Sequence, residues 1–153
     1  MYKFIYMENG VTTDKFFSLN LNHWPTVIVQ FNRLNCNEEF EYFLKRWENL
    51  GRAKQDYNII LDTRNISNIG ISNAYTGANF IGRLRKKKPH YLKNVLLIYN
   101  QSYMYYLFNL VLSLQKPIAK TYTYYTTETR PIDYVHLFNT RDQNPDKFQI
   151  TNV

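Results

Sequence analysis

Apolar residues along the chain recur with two periods, and the order in which the periods alternate sets the expected fold. Phe40, Phe43, Leu44, Trp47 and Leu50 fall at i, i+3, i+4, i+7 and i+10, the spacing of one helical face. Asn35 with Glu38 three residues on reads as a capping box ahead of that helix, and Gly51 reads as its stop. From Asn73 onward, Ala74, Ala78, Ile81 and Leu84 share one helical side, followed by Lys86 to Lys88 and by Pro89 as a stop. Ser102 is placed to cap a third helix, YMYYLFNLVLSLQ, which is apolar almost all round and broken only by Asn109 and Ser113. Pro131 suits the first turn of a short fourth helix, IDYVHLFN.

Between these helices lie short runs rich in β-branched and aromatic residues. TVIVQFN, YNIILD, NVLLIY and IAKTYTYYT read as strands, and the lack of clean alternation in YNIILD suits a strand covered on both faces. YKFIYM and TDKFFSLNL flank Asn9-Gly10, a pair that tolerates positive φ and predicts an antiparallel hairpin. The resulting order, β-β-β-α-β-α-β-α-β-α, holds three strand-helix-strand units. It predicts a mixed α/β fold: a largely parallel sheet of five to six strands with helices packed on it and an N-terminal hairpin. One domain is expected over residues 1–139, with the hairpin in 1–23 and the core in 24–139, and a polar tail over 140–153 that is either a wrapped arm or loose.

Charge changes this picture because of where it sits. The formal net charge is +7, yet residues 1–62 carry seven Lys/Arg against eight Asp/Glu and residues 128–153 carry three against four. Residues 63–127 hold nine bases and no acid, so the whole excess lies in the middle. Such a one-signed field attracts anionic partners. Arg83, Arg85, Lys86, Lys87, Lys88 and Lys93 form the candidate anion-binding patch. The single cysteine, Cys36, excludes an internal disulfide and fits a reducing, intracellular setting for a soluble protein. No apolar run approaches the ~20 residues of a membrane span.

Candidate chemistry is sparse. His23, His90 and His136 fall in separate elements without a metal-ligand spacing, and neither a nucleophile elbow nor a Gly-rich phosphate loop is present. No catalytic residue, metal or cofactor is assigned. Asp62 ends a strand, where bonding to turn amides is the plain role and a base or metal ligand the sharper one. Ser72 or Asn73 reads as the cap of the next helix, and Ser72 also as a phosphoacceptor whose phosphate would meet free N–H groups.

The run NIILDTRNISNIGISNAYTGANFIGRLRKKK, followed by NVLLIYN and a helix, resembles the core of STAS domains, the fold of bacterial anti-sigma-factor antagonists, over roughly residues 24–138. The resemblance implies an apolar strand ending in Asp62 and a turn opening a helix, with Ser72 at the position that a partner kinase phosphorylates. Gly70, Ile71 and Asn73 depart from the Asp-Ser-Ser-Gly-like turn around it. KKKPHYLKNVLLIYNQSYMYYLFNLVLSLQKPIAKTY is similar to the lipid-binding CRAL-TRIO pattern through Pro89, Leu92, Lys116, Pro117 and Lys120.

The expected function is therefore a non-catalytic protein–protein interaction or scaffolding module, with a protein partner or self-association. Contact is expected through the loop residues Arg64, Asn65, Ser67, Asn68, Ser72 and Asn73, and through the apolar positions Tyr103, Met104, Tyr106, Leu107, Phe108, Leu110, Val111 and Leu114. An alternative is binding of a lipid or an acidic membrane surface, with the third helix lining a pocket and Lys86 to Lys88 meeting headgroups. Nucleic acid is a weaker alternative that rests on charge alone. A structural part of a large DNA virus particle is a further one.

Overall fold

The computed structural model describes residues 10–13, 16–33, 37–67 and 69–151. Seven strands form one mixed sheet whose spatial order follows the chain: β1 (Val11–Thr13), β2 (Phe17–Asn20), β3 (Thr26–Phe31), β4 (Tyr57–Asp62), β5 (Leu92–Tyr99), β6 (Lys120–Tyr125) and β7 (Phe148–Thr151). The four central strands, β3 to β6, are parallel, while β1 and β2 at one edge and β7 at the other are antiparallel to their neighbours. A hairpin of β1 and β2 opens the described fold, but the chain reverses between Thr13 and Phe17 and not at Asn9-Gly10: Val11, expected in the turn, already pairs with Asn20, and Gly10 precedes the first strand. The strand expected over YKFIYM and the cap expected at Asn35 both lie outside the described residues.

Three helices join the parallel strands: α1 (Asn37–Asn49), α2 (Ile71–Lys86) and α3 (Ser102–Leu114). The strand order never reverses, so three right-handed crossovers place all three helices on one face. That face holds the main core. Phe17, Leu19, Val27, Val29, Phe31, Ile59, Leu61, Val95 and Leu97 of the strands meet Phe43, Leu44 and Trp47 of α1 and Phe80 of α2, with Met104 and Phe108 of α3 packed at its edge. Phe43 sets its ring edge-on to Phe31 at 4.7 Å, and Trp47 lies 5.0 Å from Phe80. Each such ring contributes about 1.5–3 kcal/mol by burial.

YNIILD is covered on both faces, as its unbroken apolar run requires. Ile28, Ile60, Leu96, Ile98 and Tyr122 point to the other face, where Tyr134 and Phe138 of the short helix α4 (Tyr134–Asn139) and Phe148 of β7 cover them. The polar tail is thus a wrapped arm. It makes two short 3-10 turns, stacks the Arg141 guanidinium 3.9 Å from the centre of the Phe138 ring, and adds the seventh strand beside β6. Its lone large apolar anchor, Phe148, is too little to create a visible period.

Two helix ends also differ from expectation. The chain runs past Gly51 in a 3-10 turn, Leu50–Ala53, closed by Lys54 in the left-handed region (φ 54°), whose N–H donates to the Gly51 carbonyl. At α3 the N-cap is Gln101 in extended backbone, and no side chain caps the helix.

Candidate functional site

β4 delivers Asp62 to the carboxyl end of the parallel strands, and the next residues fold back over it. Arg64 Nε and Nη2 donate to the two Asp62 oxygens at 2.9 and 2.8 Å, and the Arg64 backbone N–H donates to the same carboxylate at 3.2 Å. The Tyr134 hydroxyl donates to Asp62 from the covering helix α4 and accepts from Gln30 Nε2 at 2.7 Å. Arg64 Nη1 then donates to the carbonyls of Glu128 at 2.6 Å and Arg130 at 2.9 Å, tying down the segment after β6. Both ionic side chains are buried, at 7% and 9% exposure. The Asp62 carboxylate, through its hydrogen bond, holds Arg64 above its ordinary pKa, and burial followed by Asp62 pushes Tyr134 up to about 12. Every Asp62 oxygen is engaged, so this carboxylate is a structural clamp and offers no open position to a metal or substrate.

The loop beyond the clamp is exposed at Asn65 and Ser67, while Ile66 turns inward against the core; Asn68 lies outside the described residues. At the start of α2, Asn73 is the capping side chain. Its Oδ1 accepts from the Gly70 N–H at 2.9 Å, the Asn73 N–H donates to the Gly70 carbonyl at 3.0 Å, and Nδ2 donates to Asn37 Oδ1 at 2.8 Å. Asn73 is buried, whereas Ser72 is exposed beside it in the first turn of the helix. Of the six loop residues singled out from sequence, Asn65, Ser67 and Ser72 present side chains to solvent, and Arg64 and Asn73 face inward.

α2 and α3 are adjacent, and their first turns lie at this same end of the sheet. Along α3 only Leu107 is fully buried; Met104, Phe108, Leu110 and Val111 are half-buried, and Tyr103, Tyr106 and Leu114 are exposed at 50, 68 and 42%. Tyr105 stacks on Tyr99 at 5.3 Å and donates to Gln149 Oε1, which fastens the helix to the edge of the sheet. α2 adds Ile71 at 58% and Tyr75 at 53%. Five of the nine exposed large hydrophobic side chains among the described residues therefore stand on α2 and α3. Beneath them, Met104, Phe108 and Val111 help line an apolar cavity of about 120 Å³ between helices and sheet.

No family model, curated protein or solved structure matches the chain. The site is therefore read from its own geometry.

The patch residues have different immediate neighbours. Arg85 donates to the Lys116 carbonyl, Lys93 lies 3.7 Å from Asp56, and Arg83 sits 5.8 Å over the Phe80 ring. Lys87 and Lys88 instead line a groove at the amino ends of the strands, with Arg52 and Lys54 from the α1–β4 connection. Those last two were absent from the sequence-derived patch because they lie outside the acid-free segment, in a stretch of balanced charge. Among the described residues no three His, Cys, Asp or Glu side chains approach closely enough to share a metal ion, and no helix is long and apolar enough to cross a membrane. Cys36 lies outside the described residues.

Proposed function

We propose that this chain is a non-catalytic protein–protein interaction module of STAS-like architecture, which docks its partner on the outer surface of α2 and α3 and on the loop entering α2. The observation that carries the reading is the exposure of Ile71, Tyr75, Tyr103 and Tyr106 near the first turns of neighbouring helices. Aromatic side chains clustered in this way are the usual anchors of an interface, since each buries a large area at the cost of few rotamers. The only charged side chains on α2 are Arg83, Arg85 and Lys86, and α3 carries none. The matching partner surface is apolar at its centre and acidic at its rim.

The STAS likeness is supported by the element sequence itself: a strand ending in Asp62, a loop, a turn opening α2, then strand, helix and strand. A strand order without reversal also lacks the switch-point crevice where α/β enzymes hold small ligands. The lipid-carrier alternative is disfavoured by volume. The cavity of about 120 Å³ under α3 is well below the ~300 Å³ at which ligand pockets begin.

The test is recovery of the partner from expressing cells with wild-type chain and with Tyr75→Ser/Tyr106→Ser. A stoichiometric protein bound by the wild type, lost with the double variant and kept by Tyr42→Ser on α1, is the expected result. Retention by the double variant would remove the proposed surface.

A further inference from the structure

At the opposite end of the sheet, the C-terminal ends of α1 and α2 and the first residues of β4 and β5 enclose a groove of about 560 Å³. Its lining includes the cations Arg52, Lys54, Lys87 and Lys88 together with the apolar side chains of Tyr91 and Ile118. Bases near helix C-termini have an ordinary explanation, because each terminus presents about half a negative charge. That explanation falls short here. One carboxylate, Glu48, lines the groove and is paired with Lys87. Two helix ends and one carboxylate neutralise about two of the four cations, leaving an excess of about two positive charges. Among the described residues, the side chains of Arg52, Lys54 and Lys88 make neither a hydrogen bond nor an ion pair.

The geometry points to a phosphomonoester site: a ligand that sets a dianionic phosphate among Arg52, Lys54 and Lys88 and lays an apolar or aromatic body on Tyr91 and Ile118. A phosphomonoester carries about −1.5 to −2 charge at neutral pH, which matches the excess. The groove volume falls within the ~300–1,000 Å³ of small-molecule sites, and its concave shape favours a compact ligand over a nucleic-acid duplex. Guanidinium and ammonium groups around one phosphate supply the charge-assisted bonds that such recognition uses. The site stands apart from the α2–α3 surface and does not depend on the interaction reading.

Titration calorimetry with the full chain tests it, using millimolar inorganic phosphate, adenosine monophosphate, adenosine, and phosphatidylcholine vesicles with and without phosphatidic acid. Adenosine monophosphate is expected to bind and adenosine not. Arg52→Gln and Lys88→Gln should each weaken binding about tenfold, as loss of a charged hydrogen bond does, while Arg83→Gln, outside the groove, should leave it unchanged. Circular dichroism confirms that these surface variants fold. Binding of phosphatidic acid vesicles without the soluble nucleotide would assign the phosphate to a lipid headgroup at the same residues. Failure of all phosphate probes, equal binding of adenosine, or unchanged affinity in both groove variants would overturn the site.

Discussion

Removing Asp62 tests whether the clamp at the end of β4 is a structural element of the fold. In Asp62→Ala the Arg64 guanidinium keeps two backbone carbonyls but loses its only carboxylate, and the Tyr134 hydroxyl loses its acceptor. Because both ionic side chains are at least nine-tenths buried, the stranded cation cannot recover its hydration without opening the loop. Breaking a buried pair from one side costs about 3–5 kcal/mol. At about 2–4 °C per kcal/mol for a chain of this length, the melting temperature should fall by at least ~6 °C. Chemical denaturation of Asp62→Ala, Arg64→Ala and the double variant gives the coupling, expected at about 2 kcal/mol or more. Amide exchange should also quicken over residues 126–131, the segment that Arg64 holds. Glu128→Ala, which breaks the exposed pair with Arg130, should leave stability unchanged. A cost below ~1 kcal/mol for Asp62→Ala, or strictly additive single variants, would refute the clamp.

Three further outcomes follow from the same geometry. Asn73→Ala should destabilise by about 1–2 kcal/mol through loss of the cap and of the Asn37 bond, whereas Ser72→Ala should change denaturation midpoints little, which decides between the two caps that the sequence offers. Gly77→Ala should stabilise by about 1 kcal/mol, since the position is inside α2 and the added methyl meets Val111 at 3.4 Å and Phe40 at 3.8 Å, ordinary contact distances; a lower midpoint would show the α2–α3 packing to be tighter than described. Burial pushes the Tyr57 hydroxyl up to about 12 against the opposing hydrogen bond from Trp47, and burial with Asp62 does the same to Tyr134. Both retain protons in the folded chain that the unfolded chain releases near pH 10, so their contribution is present below pH 10 and is lost as pH rises through 12. Absorbance titration of the wild type beside Tyr57→Phe and Tyr134→Phe should show these two hydroxyls ionising only as the fold opens.

The fold was legible where burial imposes a period. The α1 face from Phe40 to Leu50 and the strand Tyr57–Asp62 are visible because the core demands apolar side chains at fixed intervals. β7 was not, since an edge strand with one buried residue, Phe148, leaves almost no pattern. The second face was legible only in part: an apolar strand interior shows that both faces are covered, but not that a helix as short as the one carrying Tyr134 and Phe138 does the covering. At the candidate site, the position of the loop after Asp62 and the unusual apolarity of α3 could be read directly. The inward turn of Arg64 could not, because its acceptors at Glu128 and Arg130 are more than sixty residues away. The Asp-Thr-Arg spacing at a strand end was the one available hint. Lys54 lines the groove from a left-handed backbone position at the end of a 3-10 turn, a placement that composition does not reveal.

A photo-crosslinking residue at Tyr106, compared with one at His136 on the opposite face of the sheet, addresses the interaction surface most directly. Irradiation in expressing cells should join the Tyr106 position to one protein species, identified by mass spectrometry, and leave the His136 position uncrosslinked to it. No adduct at Tyr106, or the same adduct from both positions, would contradict docking on α2 and α3.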